Sequence, residues 1–214
     1  MRTAAVADWE RRRAHMVDRQ LRRRGISDQR VLDAMSRVPR EEFVPQSIAD
    51  HAYDDAALPI GHGQTISQPF IVAAMAELLA LDGTEHLLDV GTGSGYAAAV
   101  LDELAGDVVS IERVAVLGEQ ARGALQRTGH DGVDVRVGDG TKGAPDRAPY
   151  DAISVAAATN RIPPALYDQL AVGGRMVLPR GEPGGQRLVR VVRTEEGPVE
   201  TASLACRFVP LVPD

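Results

Sequence analysis

The sequence contains very little cysteine, and its hydrophobic residues occur only in short runs. Cys206 is the single cysteine among the 214 residues, so no intramolecular disulfide can form and a cysteine-based metal cluster is excluded. A lone cysteine fits a reducing compartment, and we therefore expect a cytoplasmic protein. No apolar stretch approaches the roughly 20 residues that a bilayer crossing requires. We therefore expect no membrane-spanning segment and no membrane partner.

Histidine pairs and an extended basic surface are also missing. The 5 histidines are scattered without metal-ligand spacing, so we predict no metal site. The basic residues concentrate at 11–13 and 22–24 without aromatic partners, while the net charge is -6. Such runs are typical of a solvated helix face, and we expect no nucleic-acid partner. Acidic residues interrupt this arginine-rich start, which therefore does not resemble a cleaved targeting signal.

What is present indicates one folded domain. Hydrophobic residues make up 44% and charged residues 25% of the chain, which is typical of a protein with a packed core. We predict a single domain over 1–214. In this interpretation 1–82 supplies N-terminal helices and a substrate loop, and 83–214 supplies a cofactor-binding sheet and C-terminal strands.

Three helices and a long loop are predicted before the sheet begins. Apolar residues at helical spacing predict a helix over 8–24, a second helix that Ser27 caps, and a third helix over 69–81. Residues 45–68 are rich in Asp, Gly and Pro and show weak periodicity. A long ordered loop in a compact domain is often functional, so we expect this segment to contribute to a site.

From His86 onward, short β-rich runs alternate with helical stretches. This alternation predicts an α/β fold whose mostly parallel sheet has helices on both faces and ends in C-terminal strands. The predicted strands are 86–90, 108–111, 133–137, 152–155, 175–178, 187–193 and 203–212, and the predicted helices are 95–104, 114–128 and 163–170.

A glycine-rich segment joins the first of these strands to a helix. Gly91 and Gly93, with Thr92 between them, let the backbone approach a bulky ligand, and the helix N-terminus presents free N–H groups. The spacing is G-x-G-x-G and differs from the dinucleotide fingerprint G-x-G-x-x-G. Asp89 leads the motif. An acid in this position repels an anionic ligand and tolerates a cationic one.

Acidic residues also follow the next two strands. Glu112 comes after the second strand, at the spacing from Asp89 where an acid meets a ribose diol, and a carboxylate can accept two hydroxyl hydrogen bonds there. Asp139 and Gly140 follow the third strand. A glycine-rich turn alone is also common as a plain tight turn. Three such loops at one sheet edge favour a pocket for a nucleoside-type cofactor.

The segments 87–96, 109–113, 138–140, 150–158 and 173–181 resemble the successive motifs of class I methyltransferases. The resemblance implies the Rossmann-like fold of that class. It also implies S-adenosylmethionine as the cofactor and S-adenosylhomocysteine as its product. The cofactor-binding residues that it implies are Asp89, Gly91, Thr92, Gly93, Glu112, Asp139 and Gly140.

The N-terminal and C-terminal segments carry a more specific resemblance. Residues 31–45, 57–69 and 207–212 are similar to segments of the protein-L-isoaspartate O-methyltransferases, and the likeness runs from about 16 to 212. It implies methylation of the free α-carboxylate of L-isoaspartyl residues in damaged proteins or peptides. The ester then collapses without the enzyme to a succinimide, which hydrolyses partly to aspartate. The family precedent also implies a monomer.

The family resemblance also implies the substrate side of the site. It makes Ser67 the catalytic residue, with Thr65 and Ile66 beside it, and places Val209 next to the substrate peptide. An alternative interpretation makes Ser67 the N-cap of the helix at Pro69, and capping and orienting are compatible. The acceptor carboxylate, with a reference pKa near 4, is already anionic at neutral pH and needs no general base.

Two further residues invite a catalytic interpretation. His62 lies between glycines in a predicted turn, and because no base is needed we do not expect it to act in catalysis. Cys206 falls in a predicted strand and is expected to be a small core residue.

The sequence leaves three alternatives open. The first methylates ordinary aspartate in a dedicated peptide to form an aspartimide, the second is a non-catalytic S-adenosylmethionine-binding module, and the third is a small-molecule methyltransferase. Thr141 and Lys142 stand where the family has a bulkier residue or arginine, so the adenine contacts also stay open.

Overall fold

The computed structural model describes residues 2–213, and its first third consists of helices and a small hairpin. The helical elements in chain order are α1 Arg2–Met16, a π-helical turn Val17–Leu21, a 3-10 turn Arg22–Arg24, α2 Gln29–Arg37, and 3-10 turns Arg40–Phe43 and Gln46–His51. Strands β1 Leu58–Gly61 and β2 Gln64–Ile66 follow, and then α3 Pro69–Leu79. The three predicted helices are therefore present. The predicted loop 45–68 contains a 3-10 turn and the antiparallel β1–β2 hairpin.

Within residues 2–213, seven strands form the main sheet in the order β5-β4-β3-β6-β7-β8-β9. Their bounds, with the connecting helices, are β3 His86–Val90, α4 Tyr96–Asp102, β4 Asp107–Glu112, α5 Ala115–Arg127, β5 Asp134–Val137, β6 Tyr150–Val155, α6 Pro164–Gln169, β7 Leu170–Arg180, β8 Arg187–Thr194 and β9 Gly197–Ala205. Strands β3 to β7 run parallel to their neighbours, and β8 and β9 are antiparallel. This is the Rossmann-like α/β architecture that the sequence predicts, and no helix among residues 2–213 is long and apolar enough to span a membrane.

The central strands β3, β4 and β6 are buried on both faces, and their successive residues point to the two opposite sides of the sheet. Leu87 belongs to the core that helices α1 to α5 cover, and its neighbour Leu88 belongs to the core on the side of α6. The same alternation holds for Val108 and Val109 on β4. Every residue of β3 after His86 is buried, which explains why a short continuous apolar run predicted this strand.

Side chains fix the N-terminal helices to the sheet. The Glu77 carboxylate on α3 accepts hydrogen bonds from the backbone N–H groups of Ser27 and Asp28, at 2.7 and 2.8 Å. Arg175 on β7 donates to the last carbonyls of α3, at Leu79 O (2.8 Å) and Ala80 O (2.9 Å). Glu77 thus bonds backbone N–H groups at the start of α2, and Arg175 bonds backbone carbonyls at the end of α3, which have no partner within the helices. The bonds from Arg175 also hold α3 on the sheet.

Two predicted features are wrong in detail. Asp28, not Ser27, is the N-cap of α2, since its Oδ1 accepts from Arg30 N at 2.8 Å while Ser27 bonds Glu77. The predicted strand 203–212 ends at Ala205, because Ala205 pairs with Arg187, the first residue of β8. Beyond it, within the part of the chain that the structure describes, only an isolated bridge joins Pro210 to Ala158. Cys206 therefore lies outside the strand, just after β9.

Candidate active site

A cavity of about 650 Å³ opens at the carboxyl ends of β3, β4 and β6. In parallel α/β sheets this edge is where ligands bind. Three segments form most of its wall. They are the glycine loop (91–95), the segment 64–68 that joins β2 to α3, and the C-terminal strap (206–212).

Glycines bring the loops close to one another at this edge. Gly91 has φ 100°, and its N–H donates to Ile111 O on β4 at 2.8 Å. A Cβ at Gly140 would lie 2.7 Å from Val90 Cγ1, so only glycine lets the loop after β5 close against β3. The backbone therefore approaches the cavity without side chains in the way.

Glu112 is the acidic residue on the cavity wall. It is only 5% exposed, and both carboxylate oxygens are fixed, since Gly93 N donates to Oε2 at 2.8 Å and Val114 N donates to Oε1 at 2.9 Å. Each oxygen retains lone pairs for a further donor. A pre-oriented carboxylate of this kind fits the two hydroxyl groups of a ribose.

Asp89 lies behind the cavity wall, not on it. Its Oδ2 accepts from Ser110 Oγ at 2.7 Å, and the Ser110 and Thr92 hydroxyls are 2.6 Å apart. Burial raises the pKa of Asp89 to about 6, with the Glu112 charge adding to the effect and the Ser110 and Ser154 hydroxyls opposing it. Oδ1 makes no hydrogen bond of normal geometry within residues 2–213. Asp89 thus supplies buried negative charge beneath the glycine loop, which suits a cationic ligand.

Asp139 is also set back from the cavity. Its Oδ1 accepts from the backbone N–H and the hydroxyl of Thr141, at 2.9 and 2.6 Å, and its Oδ2 lies 3.3 Å from Lys142 Nζ. Asp139 therefore caps the 3-10 turn at Gly140–Lys142. Of the cofactor residues predicted from the sequence, Gly91, Thr92, Gly93, Glu112 and Gly140 line the cavity, and Asp89 and Asp139 organise the loops behind it.

The segment 64–68, where β2 leads into α3, reaches the cavity. Thr65, Ile66 and Ser67 all line it. The N-cap of α3 is Gln68, so capping does not occupy Ser67. Within residues 2–213 the Ser67 hydroxyl has no hydrogen-bond partner, and only its carbonyl is bonded. The hydroxyl is therefore available to a ligand.

Arg40 is a functional candidate that the sequence did not reveal. It is completely buried, and its guanidinium donates to Ala52 O at 2.7 Å and to Ser67 O at 2.8 Å. It also lies over the ring of Tyr96, 4.7 Å from the centroid. Burial lowers the pKa of Arg40 to about 10, so it remains a cation at neutral pH. Its place in a charged run, before Glu41 and Glu42, gave no signal of burial.

The C-terminal strap crosses the edge of the sheet and is held by backbone hydrogen bonds. Ala158 N donates to Val209 O at 2.8 Å, and Leu211 N donates to Ala158 O at 2.7 Å. Val209, predicted to contact the substrate, lines the cavity. Cys206 also lines it and is half-buried, and burial raises the pKa of its thiol to about 11. The predicted strand position of Cys206 is therefore wrong, whereas its contact with the core is confirmed, since it packs against the larger core cluster as a partly buried residue.

His62 is not part of the cavity wall. It occupies the exposed turn of the β1–β2 hairpin with φ 53°. Among residues 2–213 no group of three or more His, Cys, Asp or Glu side chains could hold a metal ion.

The parallel sheet, the glycine loop after β3 and the fixed carboxylate at the end of β4 define a class I S-adenosylmethionine-dependent methyltransferase. A solved chain from Plasmodium falciparum, crystallised with S-adenosyl-L-homocysteine, shares this fold with a TM-score of 0.81 at 24% identity, over 94% of this chain and 99% of the other. The model of the protein-L-isoaspartate(D-aspartate) O-methyltransferase family matches residues 11–214. The chain belongs to that family.

Individual relatives agree with the family match. The chain is 54% identical over 204 residues to protein-L-isoaspartate O-methyltransferase 1 of Rhodopseudomonas palustris, covering 94% of this chain and 83% of the relative. It is 57% identical over 202 residues to protein-L-isoaspartate O-methyltransferase 2 of Marinobacter nauticus, covering 94% and 92%. A solved protein-L-isoaspartate O-methyltransferase is 30% identical with a TM-score of 0.80, and this chain covers 65% of that longer chain. The family is S-adenosylmethionine-dependent and acts on isoaspartyl-containing proteins.

The geometry of Glu112 gives a direct test of cofactor binding. We expect Glu112→Gln to weaken S-adenosylhomocysteine binding by about 10- to 100-fold, because a charged acceptor for the ribose is lost and one amide N–H group must face Gly93 N or Val114 N. Titration calorimetry measures the dissociation constant. Glu119→Gln, on the exposed side of α5, is the matched control. Equal affinity in both variants would rule out Glu112 as the ribose acceptor.

Proposed function

We propose that this cavity transfers a methyl group from S-adenosylmethionine to the free α-carboxylate of L-isoaspartyl residues and so initiates repair through a succinimide. The observation that carries the proposal is the unbonded Ser67 hydroxyl at the wall of a cavity that also contains Glu112 and the glycine loop. Family membership supports the same reaction and favours neither the aspartimide-forming nor the non-catalytic alternative.

The protein residues act by binding and orientation. When bound, the cofactor supplies a methyl group made electrophilic by its sulfonium. Gly91 and Gly93 let the backbone approach the methionine part, and Glu112 accepts from the ribose hydroxyls. The buried charge of Asp89 favours the cationic cofactor. Gly140 lets the loop after β5 close against Val90 at the cavity wall, where the adenine is expected to bind.

On the substrate side, Ser67 donates its hydroxyl hydrogen to one oxygen of the acceptor carboxylate. This fixes the direction of the other oxygen toward the methyl group, and such orientation can contribute several kcal/mol. The carboxylate is ionised at neutral pH, so no residue has to remove a proton. Thr65, Ile66 and Val209 supply the surrounding contacts with the peptide.

The test is methyl transfer from labelled S-adenosylmethionine to two matched peptides, one with L-isoaspartate and one with L-aspartate. We expect label only in the isoaspartyl peptide, because the α-carboxylate and the extra backbone methylene define the acceptor. Label in neither peptide, with the cofactor still bound, would reject the proposal and favour a non-catalytic role. Label confined to an aspartyl site in one dedicated peptide would favour the aspartimide alternative.

We also propose that residues 1–214 form a single domain that works as a cytoplasmic monomer, without nucleic-acid or membrane partners. The bonds from Glu77 to α2 and from Arg175 to α3 support one folding unit. The lone Cys206 supports a reducing compartment. Light scattering after size-exclusion chromatography tests the monomer, and a single cooperative unfolding transition tests the single domain.

A further inference from the structure

The C-terminal strap depends on a side chain from another part of the chain. Gln186 precedes β8 and is only 5% exposed. Its Nε2 donates to Phe208 O at 3.2 Å, and its Oε1 accepts from Phe208 N at 2.6 Å. Its backbone carbonyl also accepts from Cys206 N at 3.0 Å. One residue thus holds three backbone groups of the strap.

The chemistry of this contact requires a carboxamide. A peptide unit presents an N–H donor and a C=O acceptor, and an amide side chain offers one partner of each kind, side by side on a planar group and without a change of protonation state. Gln186 therefore bonds the strap as a neighbouring strand does, at the point where β9 has ended. Both groups of Phe208 would be left without these partners if the amide were removed.

The position of the strap links this contact to the site. Gln186 and Phe208 both line the cavity, and Val209 follows Phe208 directly. The second attachment, at Ala158, bonds Val209 O and Leu211 N. Gln186 therefore holds the strap just before Val209, and Ala158 holds it at the Val209 carbonyl and at Leu211. The glycine loop and Glu112 belong to other elements, at the ends of β3 and β4.

We propose that Gln186 is a positioning residue for the isoaspartyl substrate, which acts by fixing the backbone of Phe208 and thereby the Val209 wall of the cavity. The proposal rests on the proposed function, because only that function makes the Val209 wall a contact surface for the substrate peptide. The attachment of the strap itself is a separate property of the chain and can be measured without any methyl transfer.

The single cysteine provides that measurement. Cys206 is bonded to Gln186 through the backbone, is half-buried, and has a thiol pKa raised to about 11 by burial. It should react slowly with an aromatic disulfide reagent in the native wild-type protein. In Gln186→Met, which keeps the side-chain length and removes both polar partners, we expect the rate to rise by about 10-fold or more because the strap detaches locally.

Steady-state kinetics gives the second readout. We expect Gln186→Met to raise KM for an isoaspartyl peptide by about 5-fold or more, while the dissociation constant of S-adenosylhomocysteine changes little. Gln186→Glu keeps the acceptor for Phe208 N and loses the donor to Phe208 O, so it should show both effects in a soluble, folded protein if the methionine variant folds poorly. Gln126→Met, on the exposed face of α5, is the matched control.

The outcomes distinguish the attachment of the strap by Gln186 from the role of Gln186 in positioning the substrate. An unchanged Cys206 rate in both Gln186 variants would overturn the strap attachment, and a faster rate with wild-type peptide KM would overturn the positioning role. A wild-type protein that methylates no isoaspartyl peptide would reject the proposed function, and with it the substrate assignment. In that case the thiol rates would still decide whether Gln186 holds the strap.

Discussion

Replacing Ser67 with alanine is expected to lower kcat for an isoaspartyl peptide by about 100-fold, the loss typical of removing one positioned hydrogen-bond donor from an active site. The Ser67 hydroxyl is bonded to no described residue, so its removal leaves no protein group unsatisfied. Stability should therefore change little. The effect should fall on the orientation of the acceptor carboxylate, and not on the cofactor, whose predicted contacts come from β3, β4 and the loop after β5.

The measurement combines peptide kinetics with S-adenosylhomocysteine titration. Ser67→Thr keeps the hydroxyl and should retain much more activity than Ser67→Ala. Ser36→Ala, on the exposed side of α2, is the matched control and should match the wild type in both assays. If Ser67→Ala kept wild-type kcat, the hydroxyl would have no role in orienting the acceptor.

Replacing Arg40 with methionine is expected to lower the free energy of unfolding by about 2–4 kcal/mol. The buried carbonyl of Ala52 and the carbonyl of Ser67 both lose a charged donor, and an unsatisfied buried carbonyl costs about 1–3 kcal/mol. The contact with the Tyr96 ring is also lost. Removing a completely buried cation, whose Nη1 has no hydrogen-bond partner among residues 2–213, offsets part of this cost.

Urea unfolding followed by circular dichroism measures this change. Arg40→Lys retains the charge with a single donor group and should lie between the wild type and Arg40→Met. Arg11→Met, at a side chain that is 78% exposed, is the matched control and should be nearly neutral. Because Arg40 bonds the Ser67 carbonyl, kcat in Arg40→Met should also fall at temperatures where the variant is fully folded. An unchanged midpoint and slope would show that the Arg40 hydrogen bonds contribute no net stability.

Local sequence patterns correctly predicted those segments whose structure depends on neighbouring residues in the chain. The buried run of β3 followed by Gly91 predicted both the strand and the cofactor loop, and the spacing to Glu112 predicted an acid at the same edge. Parallel pairing brings the ends of neighbouring strands together, so these residues meet without further information. Pro69 likewise predicted the start of α3 within the correct turn.

Signals that depend on distant partners were not visible. Ser27 and Asp28 are both good capping residues, and the choice fell to Asp28 because Glu77, far along the chain, bonds the Ser27 hydroxyl. The run 203–212 is β-rich throughout, but β8 provides a partner only as far as Ala205. No sequence signal pointed to Gln186, since its contact depends on Phe208, which lies 22 residues further along the chain.

The sequence by itself therefore determined the class of fold, the glycine loop, the acid at the same sheet edge and, through the resemblance of the N-terminal segments, the family. Hydrophobic periodicity and the placement of glycines are local properties of the sequence. In a parallel sheet the loops after neighbouring strands lie at the same edge, so these local features come together there. Tertiary structure alone decided that Asp89 and Asp139 lie behind the cavity wall, that the Ser67 hydroxyl is unbonded, and that Arg40 and Gln186 are buried. These properties follow from packing between segments that are far apart in the chain. This packing sets the burial and the hydrogen-bond partners of each polar group, and neither can be predicted from a local pattern.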